Sequence, residues 1–497
     1  MLPLLTSNPI ARIGAHPRLL ALALMALALM ALAAATSAMA QPAASSSYYV
    51  EAGSYGTQRE SDPPAYVRNI GSTYANSLTW LDAGAEYRLR YEYRDDDVRR
   101  LVPNDTDQPL LQRTRLYAGI RNIIDPLRFT FELTDSREYN SHFTPDNRDV
   151  NQLELIQANA ELYFNDVLTR DARGNNRALR IRAGRMAFET LDRRLVARNE
   201  WRNTTNNFDG VRVNLGDDNN DWALEAWSLN PVTRIVDHTD KANQDIRYNG
   251  VVAHLRAWSS LVTLEPHYFQ LHQDATAATG FVARNMLAPG LRVYGRWLNG
   301  AITYDASMMQ QNGNDGGKRV QAEARTLEVG YSWLSHAWKP RLSVFYGSAS
   351  GDRNPNDNSS ERFERFFGFG RAWSADDYFV FENLRAPKLK LEFQPVKGIR
   401  IDAGYNWYRL ASNTDRFTNL LAGNAGNRDR SGLSGSDLGE SWDVRVRFTL
   451  APHVQANVGY SSFRLGEFTR KRQLASTGHS VDDSDFFYVE LTWRLFE

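Results

Sequence analysis

The sequence predicts an all-β fold: a transmembrane, antiparallel up-and-down β-barrel of about 18 strands, with long extracellular loops and short periplasmic turns. Three observations lead to this prediction. Apolar and charged residues alternate over 81–94, short and long connections alternate along the chain, and the last strand carries one apolar face. The mean hydropathy of −0.50 does not argue against a membrane protein, because the water-facing residues of a barrel cancel its lipid-facing residues in any average.

The first strand shows the pattern most clearly. Residues 81–94 read LDAGAEYRLRYEYR, in which the odd positions are apolar or aromatic and the even positions, Gly84 excepted, are charged. A period of two places successive side chains on opposite faces of a strand. One face suits hydrocarbon, and the other carries more charge than a dry core can hold. Such a strand needs lipid on one side and water on the other.

The first 40 residues predict a secretory signal peptide. Basic residues precede a Leu/Ala/Met run over 19–35, and the small-x-small sequence at 38–40 fits the cleavage rule. The alternative is an uncleaved anchor helix, for which this run is close to the minimum length. The polar residues 41–79 are interpreted as a periplasmic lead-in or a partial plug. The barrel domain is predicted over 80–497.

Alternating segments recur along the whole chain and give eighteen candidate strands. The strands are predicted to begin near Trp80, Leu111, Leu127, Leu153, Arg177, Phe208, Asp221, Ile246, Ser260, Pro289, Gly300, Val320, Pro340, Leu384, Gly398, Ser441, His453 and Asp485. The even-to-odd links are mostly tight turns, whereas the odd-to-even links are mostly long and polar, with a short exception over 313–318. An even number of strands places both termini in the periplasm. A soluble β-sandwich, the alternative, gives no reason for link lengths to alternate.

The last predicted strand has one apolar face, formed by Phe487, Val489, Leu491, Trp493 and Leu495. The chain then ends at Phe496-Glu497. This pattern resembles the C-terminal strand by which barrel proteins are recognised for insertion. The expected partners are therefore outer-membrane lipids and the barrel-insertion machinery, and we expect a monomer in the bacterial outer membrane.

Composition and motifs argue against several other classes of protein. The absence of cysteine excludes disulfides, a lipoprotein anchor and a Cys nucleophile, and the net charge of +0 gives no sign of a nucleic-acid partner. The sequence has no Gly-rich phosphate loop, paired-His metal motif or Ser nucleophile elbow. We therefore expect no enzymatic activity, no cofactor and no metal, with a barrel hydrolase as a minor alternative. Residues 352–356 resemble the start of a calcium loop but are interpreted as a solvated loop.

The water-facing register of the predicted strands contains more basic than acidic residues, although the whole chain is neutral. Such a lumen would attract anions, because the Arg fork matches carboxylate and phosphate. The alternative is that these charges only pair across strands. Arg185 falls on the lipid side, which predicts a bulge or an earlier strand end. The candidate pore-lining residues are Arg88, Arg90, Arg113, Arg115, Arg182, Arg194, Arg198, Trp201, Arg212, Arg292, Arg296, Arg400, Arg445 and Arg447.

The long link 351–383 is rich in aromatic residues. Folded inward, it would narrow the pore and stack on sugar or aromatic solutes. The interpretation favoured here is an aromatic girdle at the base of the loop.

Four segments resemble the alginate-export family of outer-membrane porins, in that family's order and spacing. They are 184–185 with 194–212, 340–354, 383–385 and 459–468. The resemblance implies an 18-stranded barrel and, in the family's archetype, an Arg-lined pore for a polyuronate. The expected function is passive transport of anionic solutes, with oligo- or polyuronates such as alginate as candidates. The alternative is a barrel closed by residues 41–79 or 351–383, with a binding or structural role.

Overall fold

The computed structural model describes residues 48–49, 59–74, 76–100, 105–256, 261–277, 280–369, 371, 373–421, 427–480 and 482–496. The predicted signal peptide, residues 1–40, lies outside the described residues. No helix in the described part of the chain is long and apolar enough to cross a membrane.

Eighteen antiparallel strands close into a barrel within the described residues. Each strand pairs with its neighbours in sequence, and the last strand pairs with the first along ten residues, from Glu86 opposite Arg494 to Asp95 opposite Asp485. The strands are β1 Leu81–Asp95, β2 Leu110–Ile124, β3 Leu127–Tyr139, β4 Asn151–Leu168, β5 Arg177–Met186, β6 Phe208–Leu215, β7 Trp222–Thr233, β8 Ile246–Leu255, β9 Thr263–Gln273, β10 Arg284–Trp297, β11 Ile302–Asp315, β12 Lys318–Ser332, β13 Arg341–Ala349, β14 Leu384–Val396, β15 Ile399–Arg409, β16 Asp437–Ala451, β17 Val454–Leu465 and β18 Ser484–Arg494.

Short elements complete the described structure. The strand pieces are Val67–Asn69, Thr106–Asp107, Lys241–Ala242 and Ser359–Ser360. The helices are α1 Ile70–Thr73 and α2 Glu467–Thr477, with 3₁₀ turns at Asn76–Leu78 and Leu298–Gly300.

The predicted barrel is confirmed, and sixteen of the eighteen strands begin within three residues of the predicted position. Strands β10 and β16 begin earlier than predicted, at Arg284 and Asp437. The sequence predicts that β10 begins near Pro289. Pro289 lies inside the strand instead, where the ladder between β10 and β11 skips residues 288 and 289.

The two rims of the barrel differ as expected. Two-residue links at 125–126, 397–398 and 452–453 join strands at the periplasmic rim, whereas the other rim carries the links 187–207 and 350–383. The tight exception between β11 and β12 is Gly316-Gly317. Both glycines have positive φ, 57° and 88°, which the primed two-residue hairpin turns require.

Arg185 shows how the wall tolerates an outward charge. The predicted bulge or early strand end is wrong, because β5 and β6 stay in continuous register from residue 179 to 186. The Arg185 guanidinium instead forms two hydrogen bonds to the carboxylate of Asp209, its register partner on β6, at 2.8 and 3.1 Å. Pairing therefore neutralises the charge without changing the backbone.

The hydrophobic core lies inside the barrel. Most aromatic residues of 350–383 are buried against the inner wall: the Phe379 ring stacks on Tyr408 at 3.6 Å between centroids, and Trp373 packs on Phe345 at 5.6 Å. The expectation of a girdle at the loop base is wrong, because the loop folds inward. A girdle would leave the upper lumen empty, whereas folding inward buries this apolar area away from water.

Candidate pore constriction

Two inward-folded loops define the constriction. We name residues 187–207 the pore loop and residues 350–383 the cap loop. The loops join like two short parallel strands, with Phe367 N donating to the Leu195 carbonyl at 3.0 Å and Ala197 N donating to the Phe367 carbonyl at 3.1 Å. This pairing satisfies backbone groups that would otherwise be buried without partners.

Charged side chains fix the pore loop to the wall. Arg198 forms an ion pair with Glu132 on β3 at 2.6 Å, and Glu200 forms ion pairs with Arg115 and Arg113 on β2. Burial raises the pKa of Glu200, but Arg115, Arg198 and Arg113 outweigh that effect and hold the pKa well below its ordinary value. Glu200 therefore stays ionised and, together with Glu86 and Glu132, neutralises the three arginines.

Arg88 and Arg90 on β1 are committed to the pore loop. Arg88 donates to the carbonyls of Glu200 at 2.8 Å and Arg202 at 2.9 Å. Arg90 donates to the Trp201 carbonyl at 2.6 Å. The charged face of the first strand is thus buried under a loop, where charge-assisted hydrogen bonds are strong.

An open cavity of about 310 Å³ remains beside the two loops. Its wall comes from β14–β16, β17, β18 and β1, and its other side from the pore and cap loops. Seven basic residues line it: Arg88, Arg193, Arg371, Lys388, Lys390, Arg445 and Arg447. The acidic lining is Glu200, Asp402, Asp443 and Glu490, and the aromatic lining is Trp201, Phe369 and Tyr488. Basic residues outnumber acidic ones seven to four.

Arg445 and Arg447 on β16 share one carboxylate. Arg445 forms two hydrogen bonds of 3.1 Å to Asp402 on β15, and Arg447 bonds the same Asp402. Lys388 on β14 forms an ion pair with Asp443 on β16, with 3.7 Å between its Nζ and the carboxylate oxygen. Asp402 therefore accepts hydrogen bonds from two guanidinium groups at once.

Trp201 joins the loops to the strands at the edge of the cavity. The guanidinium carbons of Arg90 and Arg371 lie 3.9 and 3.3 Å from the centroid of its ring, and Arg371 donates to the Tyr488 hydroxyl at 3.1 Å. Such cation–π contacts strengthen when desolvated. The indole therefore holds the pore loop, the cap loop and β1 in one arrangement.

The N-terminal segment 59–74 lies against the opposite wall. The Tyr66 hydroxyl donates to Glu132 at 2.7 Å, and Asp62 forms ion pairs with Arg182 at 2.9 Å and Arg212 at 3.7 Å. Burial raises the pKa of Asp62, but the neighbouring arginines outweigh that effect and lower it to about 2. Two candidate pore arginines are thus neutralised by this segment.

The remaining predicted residues do not gather at the cavity. Arg292 forms ion pairs with Asp305 at 2.7 Å and Glu265 at 2.9 Å, and Arg194 is bonded to Asp192. Arg296 and Arg400 lie near the periplasmic ends of β10 and β15. Of the fourteen candidates, Arg88, Trp201, Arg445 and Arg447 line the cavity.

Sequence reasoning missed Arg193 and Arg371, since loop residues carry no alternation signal. Phe369 belongs to the aromatic link for which inward folding was the alternative interpretation. Lys388 and Lys390 were recognisable, because both fall on the water-facing register of β14.

A closed 18-strand barrel whose loops fold inward around a charged cavity is the architecture of an outer-membrane channel. The chain belongs to the alginate export family, whose sequence profile matches residues 79–482. Family and fold together place the protein in the bacterial outer membrane, as a channel rather than an enzyme. Among curated protein sequences, none matches this chain.

Solved structures with the same fold are outer-membrane porins of Pseudomonas aeruginosa. OpdQ superposes with a TM-score of 0.54 at 13% identity, covering 84% of this chain and 97% of its own. OpdK, solved with vanillate, gives 0.53 at 14% identity, with coverage of 83% and 98%. OccK11 (OpdR) gives 0.53 at 14% identity, with coverage of 83% and 96%.

Proposed function

We propose that this protein is a passive channel for anionic solutes, with oligo- and polyuronates such as alginate among its candidate substrates. The observation that carries the proposal is the excess of basic over acidic residues around the constriction, above all Arg445 and Arg447 on one Asp402. Fixed positive charge at a narrow point raises the local concentration of anions and opposes cations.

The chemistry of the lining fits a carboxylated sugar or a small aromatic acid. An Arg guanidinium binds a carboxylate through two parallel hydrogen bonds. Trp201, Phe369 and Tyr488 add flat apolar surface beside these cations. OpdK, which shares the fold, was solved with vanillate, an aromatic carboxylate. The cavity of about 310 Å³ is near the lower end of ligand-site volumes, so a solute would pass in extended form, a few groups at a time.

Reversal potentials in planar bilayers under a salt gradient test the proposal. We expect anion selectivity for the wild type and a marked loss of it in R445Q/R447Q. The matched control is R137Q/R247Q, which removes two exposed arginines of β3 and β8. Cation selectivity in the wild type, or equal loss in both double variants, would contradict the proposal. Block of single-channel current by alginate oligomers tests the narrower substrate class.

A second candidate is a barrel closed by its own segments, with a binding or structural role. The burial of Arg90 and Arg115 beneath the pore loop, and the contacts of segment 59–74 with Glu132 and Arg182, favour it. We infer that segment 59–74 is a partial plug. Under this candidate the wild type conducts no ions in proteoliposomes, and solute binding occurs without flux.

A further inference from the structure

Four arginines stand together on the outside of the barrel, beside the middle of β12 and the extracellular ends of β13–β15. Arg325, Arg385 and Arg409 lie on one rung of the sheet: Arg325 pairs in register with Ser348, Ser348 with Arg385, and Arg385 with Arg409. Each of the three is exposed, and its neighbours in sequence are buried, which places the side chains on the outer face. Arg353 of the cap loop is exposed beside them.

The height of this row relative to the membrane follows from the rung below it. Two residues toward the periplasm, the outward side chains are Leu327, Tyr346 and Trp407, all exposed. Val344 and Leu389 continue the apolar face further down. Tyr and Trp concentrate at the membrane–water interface, so the arginines lie at the level of the outer-leaflet headgroups.

The row borders a groove of about 280 Å³. Arg325, Arg353 and Arg385 line it together with Glu323. The rest of the lining is three hydroxyl-bearing residues and two small ones: Tyr346, Ser348, Ser350, Gly351 and Ala411. Glu323 accepts a hydrogen bond from Arg325 at 2.8 Å. The other two basic residues of the groove, Arg353 and Arg385, are not part of this pair. These residues take no part in the lining of the pore cavity.

Three other outward arginines of the barrel are neutralised by a neighbour. Arg137, Arg185 and Arg464 have carboxylate partners at 2.8, 2.8 and 3.7 Å. By contrast, among the described residues no carboxylate lies within ion-pair distance of the Arg385 or Arg409 side chain. Unneutralised cations gathered on one rung next to lipid indicate an external anion at the headgroup level.

We propose that this groove binds the phosphorylated headgroup of an outer-leaflet lipid. The Arg forks match phosphate oxygens, and basic pockets beside membrane-spanning segments bind anionic headgroups. The acyl chains then lie along Leu327, Val344 and Leu389. A soluble anion is disfavoured because the groove opens above the lipid-facing surface and not into the lumen. This site is independent of the proposed transport function.

Native mass spectrometry of the full-length barrel in detergent tests the proposal, with lipid A, a bisphosphorylated glycolipid, as the probe. We expect wild type and R137Q/R247Q to retain lipid A alike. For R325Q/R385Q we expect an apparent affinity lower by at least ~10-fold, because two charge-assisted contacts are lost. Heat-modifiable migration on gels verifies that each variant is a folded barrel. The variant R325K/R385K keeps both positive charges and loses both guanidinium groups.

Two further probes identify the source of the phosphate. Lipid A stripped of its phosphates should bind wild type as weakly as intact lipid A binds R325Q/R385Q. Inorganic phosphate at millimolar concentration should not displace the lipid. Three results would each overturn the proposal: equal binding of intact and phosphate-free lipid A by wild type, equal binding of lipid A by R325Q/R385Q and R137Q/R247Q, or displacement of lipid A by inorganic phosphate.

Discussion

Asn203 provides the sharpest test of how the pore loop is held. Its side chain is fully buried, and its amide donates to the carbonyls of Gln112 at 2.9 Å, Arg137 at 3.2 Å and Asp149 at 2.9 Å. Its oxygen accepts from Arg88 at 3.0 Å. One neutral side chain thus connects the pore loop to three strands, β1, β2 and β3, and to the β3–β4 link.

The magnitude expected for Asn203→Ala follows from these bonds. Two amide hydrogens contribute about 1 kcal/mol each, and the bond from a charged donor contributes about 1.5–3 kcal/mol. Arg88 keeps its bonds to the Glu200 and Arg202 carbonyls, so part of the last contribution is retained. A loss of about 3 kcal/mol raises the undocked fraction of the loop by roughly two orders of magnitude.

Limited proteolysis of the pore loop, together with single-channel recording, measures this shift. Cleavage within 187–207 reports the undocked population when docking is fast relative to cleavage. We expect cleavage about 100-fold faster in Asn203→Ala, with increased current noise and unchanged ion selectivity, because no charge is altered. The control is Asn165→Ala at an exposed position of β4. Cleavage within twofold of the wild-type rate would refute the assignment of the loop's anchoring to these hydrogen bonds.

Three further predictions concern the constriction. Burial raises the pKa of Asp376 in the cap loop to about 6, above the ordinary value of 3.8. The docked loop therefore binds more protons than the undocked loop. The docked loop is most stable below pH 4, and its docking free energy weakens by roughly 3 kcal/mol in all as the pH rises through 6. In Asp376→Asn docking should not depend on pH in this range. Proteolysis rates measured between pH 4 and 8 test both statements. Trp201→Ala should enlarge single-channel conductance and increase its noise, since the contacts with Arg90 and Arg371 are lost; unchanged traces would contradict that role. Deletion of 59–74 should raise conductance severalfold if this segment is a partial plug, and an equal conductance would remove the plug from the proposal.

The barrel could be predicted from sequence because the residues of each strand alternate between side chains that suit lipid and side chains that suit water. In residues 81–94 the alternation alone assigns Tyr87 and Tyr91 to lipid and Arg88 and Arg90 to the interior, as the structure shows. Strand ends were harder to predict, as at β10, which begins at Arg284 and not near Pro289. Alternation depends only on a residue's immediate neighbours, so no knowledge of distant contacts was needed.

The site could be predicted only in part, because the occupants of the lumen come from distant loops. Nothing in the β1 sequence indicates that Arg90 meets the Trp201 carbonyl, 111 residues away. Likewise, the aromatic residues of the cap loop have no periodicity to orient them. The position of Phe379 depends on two things: leaving its ring exposed to water would cost free energy, and Tyr408 offers a ring face on which it stacks.

The proposed function predicts that the two roles of the water-facing arginines, anion attraction and structural pairing, are divided between opposite walls. On β1–β7 the arginines are matched by acids or carbonyls of the pore loop and the N-terminal segment, as Arg115 is by Glu200 and Arg182 by Asp62. On β14–β16 the cavity separates the wall from the pore and cap loops, and Arg445 and Arg447 both bond Asp402. The proposed function therefore predicts that substitutions on β14–β16 change ion selectivity, whereas substitutions on β1–β7 change loop docking.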